Sequence, residues 1–344
     1  MAEPKRVYLH IGAPKTGTTF LQQVLARNRD ALGEAGVLYP RVGREAHHSA
    51  VWSVRKTFQG TDSGAKFARH WSRLVNEVDE WQGPTVVVSS ELFCFSRGGK
   101  ITEILSGFPG AEVHIVYTAR DLMRQVPAVW QEQVKNRQTT RYRDFLDDVL
   151  GGRSTDLTQL FWGAQDVRAV LARWSKTLEP HRVHVVTAPP AGSPPGLLWQ
   201  RFAAVIGVDP DAFFSEIPPA NRSLSITAAE ALRRYNERYA ADLPILEYRR
   251  MVRRQLDPAF AATLDDSARL PLTPAQQAAI VALSERMVKR VRRAGYDVVG
   301  SLDELLPTGV SESQASSIGP DDISDSEVME ALLKVLDHLL RGPR

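Results

Sequence analysis

The sequence predicts an α/β fold in three layers: a central parallel sheet flanked by helices. Three observations predict it. The apolar segments of strand length are continuous runs, as expected of strands buried on both faces. Stretches with helical spacing lie between them, so strands and helices alternate along the chain. The first strand passes through a glycine loop directly into a helix.

The elements follow in order. Arg6-Val7-Tyr8-Leu9-His10-Ile11 reads as a buried strand that ends at Gly12. Thr18 to Arg29 places Phe20, Leu21, Val24 and Leu25 at helical spacing. The β-branched run from Thr85 to Ser90 is a second strand, preceded by the turn signal Gly83-Pro84. A third covers Ala111 to Thr118, after Pro109-Gly110, and a fourth covers Arg182 to Thr187 before a proline-rich loop. Helical spacing over Leu122 to Val134 follows the third strand, and over Val167 to Leu178 it precedes the fourth. Thr227 to Ala241 opens on a capping box formed by Thr227 and Glu230. Thr273-Pro274 opens a long helix that runs to Arg293 and stops at Gly295. His10 and His114 fall inside strands and read as core residues. Trp130 and Trp162 read as core or as lining for an acceptor pocket.

Residues 1–306 read as one domain and 307–326 as a flexible acidic linker rich in Ser, Asp, Gly and Pro. Residues 327–344 form an amphipathic helix marked by Val328, Leu332, Val335, Leu336, Leu339 and Leu340. That helix packs back on the domain or meets a partner, self-association being one such case.

At 344 residues, 43% of them hydrophobic, the chain can bury a sizeable core. The net charge of +3 is too mild for a protein that coats nucleic acid, but it leaves room for a local basic pocket. The single cysteine, Cys94, excludes an intrachain disulfide. Met1 to Arg6 is polar, unlike a signal-peptide core. No apolar run approaches the roughly 18 residues that span a bilayer. These features point to a soluble cytoplasmic protein without a nucleic-acid partner. No Cys and His spacing suggests a metal site, and the adjacent pair His47-His48 lacks a third ligand.

Gly12-Ala13-Pro14-Lys15-Thr16-Gly17-Thr18-Thr19 lies between a strand and a helix, with the physical logic of a phosphate-binding loop (P-loop). Glycines let backbone N–H groups turn toward an anion, and the helix N-terminus adds a favourable dipole. Threonine hydroxyls and the Lys15 charge add to this. Position 18 is Thr where a nucleotide triphosphatase has its lysine. A lysine placed earlier suits a donor with a single 5′ phosphate carrying a transferable group.

Pro14 to Thr19 resembles the 5′-phosphosulfate-binding motif of the sulfotransferases that use 3′-phosphoadenosine 5′-phosphosulfate (PAPS), a motif that follows the first strand in that family. The resemblance implies that Pro14, Lys15, Thr16, Gly17, Thr18 and Thr19 hold PAPS, with 3′-phosphoadenosine 5′-phosphate (PAP) as product. Phe20 stands where the family has an aromatic residue near the adenine. Arg120, at the end of Val116-Tyr117-Thr118-Ala119, resembles the family's arginine for the 3′ phosphate. The serine that follows eight positions later in the family is Ala128 here. Arg124, Gln125 or a backbone group would have to compensate. Arg222 and Ser223, in the loop before the helix at Thr227, are candidates for the basic loop that closes over the 3′ phosphate; an ordinary cap loop is the other reading. The order of elements resembles bacterial members with carbohydrate, lipid or small-molecule acceptors. The family's mechanism needs no metal.

For catalysis, Lys15 would stabilise charge on the bridging oxygen of the leaving group. Glu91, after Ser89 and Ser90 at the end of the second strand, is the base candidate, against a plain surface glutamate or salt bridge. His47 and His48 compete for that role and could contact the acceptor. The expectation is in-line sulfuryl transfer from PAPS to a hydroxyl or amine. Two alternatives stand beside it: a small-molecule kinase using Mg-ATP, and a non-catalytic nucleotide-binding module.

Overall fold

The computed structural model describes residues 4–43, 46–213, 223–264, 270–307 and 318–341. Strands are β1 (Arg6–Gly12), β2 (Val37–Leu38), β3 (Thr85–Ser89), β4 (Glu112–Ala119), β5 (Val183–Thr187) and β6 (Asp297–Val299). Helices in the first half are α1 (Thr18–Arg27), α2 (Arg29–Glu34), α3 (His48–Arg55), α4 (Asp62–Phe67), α5 (His70–Glu80), α6 (Gly99–Leu105) and α7 (Leu122–Lys135). Then come α8 (Tyr142–Gly151), α9 (Asp156–Gln165), α10 (Val167–Trp174), α11 (Leu197–Ile206), α12 (Ile226–Tyr239), α13 (Ile245–Met251), α14 (Asp257–Thr263), α15 (Pro274–Arg293) and α16 (Asp325–Arg341). The chain divides into two compact units: Met1–Asp121 with Trp162–Ala220 and Ser284–Leu306, and Leu122–Phe161 with Asn221–Leu283 and Pro307–Arg344.

The first unit holds one parallel sheet in the order β2-β3-β1-β4-β5-β6. The four expected strands form its middle, and the short β2 and β6 extend its edges. On one face Tyr8, Val87, Val116 and Val186 pack against Leu21, Val24 and Leu25 of α1 and Trp199 and Phe202 of α11. On the other, Val7, Leu9, Ile11, Val86, Val88 and Ile115 are fully buried. That face meets α10 and an edge-to-face aromatic chain through Trp174, Phe93, Trp71 and Phe108. Burying each such side chain contributes about 1.5–3 kcal/mol, which is why continuous apolar runs specify central strands.

One face changes character along the strands. Tyr8, Val87 and Val116 are followed two residues on, on the same face, by His10, Ser89 and Thr118. All three are completely buried, so a polar layer lies beneath the carboxyl ends of β1, β3 and β4.

Within the second unit, the expected capping box at Thr227 and Glu230 is not formed. The helix starts at Ile226, and the cap is Ser225, whose Oγ accepts the N–H of Ala228 at 3.1 Å. Glu230 is buried, and its carboxylate requires charged donors there: it accepts from Arg233 at 2.8 Å and from Arg234 at 2.6 Å. A capping box forms instead at the start of α15. Thr273 Oγ1 accepts the Gln276 N–H, and Gln276 Oε1 accepts the Thr273 N–H. Trp130 is a core residue whose Nε1 donates to Thr140 O at 3.0 Å. Along α16, Val328, Ala331 and Val335 are buried in packing with α12 and α14, while Met329, Leu333, Leu336 and Leu340 stay exposed. Of the expected linker, residues 308–317 lie outside the described residues. No helix among the described residues is long and apolar enough to cross a membrane.

Candidate functional site

The chain leaves β1 toward β2 on one side of the sheet, and it leaves β4 toward β5 on the other. A crevice opens at such a switch point, outside the carboxyl ends of the strands. The loop after β1 and the residues after β4 both emerge there.

The loop is tied down from within the sheet. Ala13 N–H donates to Thr118 O at 2.9 Å, and Thr118 Oγ1 donates to Gly12 O at 3.0 Å. The Thr16 hydroxyl reaches Ala13 O at 2.6 Å and also meets Thr118 Oγ1. It is buried and engaged in holding the loop. Pro14 O accepts Gln165 Nε2 at 3.3 Å. Gly17 caps α1 with φ 92°, a left-handed conformation that suits glycine, and a Cβ there would sit 2.3 Å from Leu198 Cδ2.

Lys15 also has positive φ, 68°, and its carbonyl accepts from Arg120 Nη1 at 3.2 Å. The two expected cationic anchors are therefore adjacent, both half-buried. Beyond the loop, Leu21 N–H makes the first α1 bond, to Gly17 O at 3.2 Å. Helix geometry gives the preceding N–H groups, through Thr18, Thr19 and Phe20, no partner within α1. Thr18 is buried, Thr19 is half-buried, and Phe20 packs against the core beside α11.

Glu91 begins a 3₁₀ turn, Glu91–Phe95, immediately after β3. Its backbone lies against the loop: a Cβ on Gly12 would be 3.3 Å from Glu91 O. The same Glu91 oxygen accepts from the Cys94 thiol at 2.8 Å. The side chain is 18% exposed; one oxygen accepts Gln22 Nε2 at 2.9 Å, and the other lies 3.7 Å from His48 Nε2. Burial alone would raise the Glu91 carboxyl, but the facing His48 and the Gln22 amide outweigh it and hold the group below the usual carboxylate range. An ionised carboxylate at a strand end, with a histidine beside it, can take a proton from an incoming hydroxyl or amine.

The neighbouring histidines part company. His47 is buried with both ring nitrogens engaged: Nε2 donates to Pro40 O at 3.0 Å, and Nδ1 accepts the Ser89 N–H at 3.0 Å. Burial lowers it to about 4. His47 is therefore neutral and held within the core. His48, half-buried, bonds Ser90 Oγ at 2.8 Å and faces Glu91. Beside it stand the half-buried rings of Trp52, Phe58 and Phe67.

The structure thus brings Lys15, Arg120, the α1 N-terminus, Glu91 and His48 to one end of one sheet. Ser223 is exposed and belongs to the second unit, and Arg222 lies outside the described residues. Sequence reasoning missed Gln22, a buried polar residue among the apolar positions of α1. Its only signal is a polar side chain next to Leu21 on a helix that otherwise faces the core.

No family model matches the chain, and no curated protein matches it. Two solved structures are similar to it. One is a crystal structure of a sulfotransferase from Alicyclobacillus acidocaldarius, at 18% identity over 64% of this chain and 88% of that one, with a TM-score of 0.40. The other is the sulfotransferase domain from the curacin biosynthetic pathway, at 16% identity over 61% and 76% respectively, with a TM-score of 0.31.

Proposed function

We propose that this chain is a sulfotransferase that moves a sulfuryl group from PAPS to a hydroxyl or amine of a carbohydrate, lipid or small-molecule acceptor. The observation that supports the reading is the loop itself: Arg120 bonds the Lys15 carbonyl, and the backbone of Glu91 lies against Gly12, before the N-terminus of α1. Position 18, where a triphosphatase has its lysine, is the buried Thr18.

The residues divide the work by their chemistry. Backbone N–H groups of the loop and of the first α1 turn suit the 5′ phosphosulfate. The planar guanidinium fork of Arg120 suits the 3′ phosphate by its geometry and charge. Glu91 takes the proton of the acceptor as its oxygen or nitrogen bonds to sulfur. The sulfur–oxygen bond to the 5′ phosphate breaks in the same displacement, and its electron pair stays on the phosphate oxygen. Lys15 meets the charge that develops there. A loose transition state makes this placement of charge the main contribution of the protein. The acceptor lies on the side of His48 and Trp52, where half-buried aromatic rings offer a stacking surface.

The test is release of PAP from PAPS in the presence of a panel of hydroxyl and amine acceptors. Wild-type protein releases PAP in an acceptor-dependent manner without added metal, and Lys15→Ala does not. Full activity in Lys15→Ala would refute the reading.

A further inference from the structure

The polar layer under the site is one connected chain of hydrogen bonds, and its direction can be deduced. The single Thr118 hydroxyl hydrogen points into the loop, to Gly12 O at 3.0 Å or to Thr16 Oγ1, whose own hydrogen goes to Ala13 O at 2.6 Å. The Thr118 oxygen is then an acceptor toward His10 Nε2, 3.3 Å away, which puts the imidazole proton on Nε2. His10 Nδ1 is left as an acceptor and takes the Ser89 hydroxyl hydrogen at 2.8 Å. The Ser89 oxygen accepts one hydrogen of the Gln22 amide at 3.2 Å, and the second goes to Glu91 Oε2 at 2.9 Å. Thr118, His10 and Ser89 are fully buried, and Gln22 is 2% exposed.

We infer that His10 is a positioning residue of the transfer site, a neutral Nε2–H imidazole that joins the loop carbonyl of Gly12 to the orientation of the Gln22 amide on Glu91. The inference rests on the reading of Glu91 as the base. With Ser89 donating to His10, its oxygen calls for an N–H from Gln22. A flipped amide would leave that oxygen without its donor and turn a carbonyl oxygen toward the carboxylate. The ring is fully buried and packs edge-on to Phe202 at 5.2 Å. Burial lowers it to about 4, so the polarity of the chain holds across the neutral range. The titratable groups at the Glu91 end are Glu91, His48 and Cys94; the loop end, through Thr118, Thr16 and Gly12, carries the cations Lys15 and Arg120.

Two measurements test this. In wild-type protein, imidazole nitrogen NMR of His10 should show the Nε2–H tautomer, unchanged as pH falls from 8 to about 5. In His10→Asn, folded by circular dichroism, kcat should fall about tenfold or more with the donor KM within about threefold. The acid limb of its kcat profile should move up by about one pH unit, because Glu91 loses an oriented donor. Ser89→Ala cuts the same chain one link further on and should shift the acid limb the same way; it replaces His10→Asn if that variant does not fold. An Nδ1–H tautomer, titration of His10 near its ordinary value, or an unmoved acid limb would overturn the inference. Absence of PAP binding in wild type would fall on the transferase reading instead, because the tautomer is observed without donor.

Discussion

Gln22 and Glu91 stand 69 residues apart in sequence, and the Gln22 amide donates to the Glu91 carboxylate at 2.9 Å. Gln22 lies in the helix whose N-terminus closes the loop. The helix that begins at the proposed donor loop therefore also holds the proposed base. Sequence separation hides this coupling, and its energetic consequences can be measured.

The two cations make different contributions. Lys15→Ala is expected to lower kcat by about 10²–10³-fold, the usual loss when a charge-stabilising group is removed. Lys15→Asn tolerates the left-handed backbone at that position. It should be as inactive as the alanine variant, and recovery of activity would assign the role to the backbone alone. Arg120→Ala should weaken PAP binding by about 2–4 kcal/mol. Arg120→Lys should restore only part of this, because a single ammonium cannot span both the Lys15 carbonyl and a phosphate. Calorimetry measures both.

As the proposed base, Glu91 should set the acid limb of activity. Its folded pKa is depressed, so the ionised form and the stability it confers are fully present above the unfolded value. Both are lost as pH falls through the depressed folded value. The rate should therefore hold down to the low end of the carboxylate range and fall below it. Glu91→Gln should reduce kcat by about 10²-fold or more and abolish that limb. A wild-type rate in Glu91→Gln would remove it as base and shift the role to His48.

Substitution at the adjacent histidines should give opposite phenotypes. His48→Asn removes the imidazole facing Glu91 and should alter the pH profile with little change in thermal stability. His47→Ala leaves Pro40 O and the Ser89 N–H without their partner in the core, at about 1–3 kcal/mol each. It should appear as a lower melting temperature. Kinetic loss in folded His47→Asn without a stability change would contradict this division.

Acid should destabilise the fold early. His10 and His47 are held neutral in the folded state, each with a pKa lowered to about 4 from 6.5. Between those values the unfolded chain binds protons that the folded chain refuses. Stability therefore declines as pH drops through that window, by up to about 1.4 kcal/mol per unit for each histidine. Melting curves from pH 7 to 4 should show the decline, and a variant lacking either histidine should show a shallower slope.

Much of this was legible in the sequence because it is local. The strand, loop and helix from Arg6 to Arg27 are consecutive, and the residues carry their own signals: an apolar run, glycines at the turns, helical spacing. Arg120 and Glu91 stand at strand ends, where a parallel sheet presents its residues. The rest depends on distant partners. β2 has two residues and β6 three, too few for a periodic signal. The polar layer joins residues 10, 22, 89 and 118, which only the sheet order brings together. Thr16 carries the same hydroxyl as Thr18 and Thr19, and only the folded loop shows that Ala13 O and Thr118 engage it. His47 and His48 are adjacent in sequence, and only their packing tells them apart.

The most direct test of the donor site is calorimetric titration of the wild-type protein with PAP and, separately, with Mg-ATP. Tight binding of PAP without a requirement for magnesium, lost in Arg120→Ala, is the predicted result. Tight binding of Mg-ATP with none of PAP would contradict it.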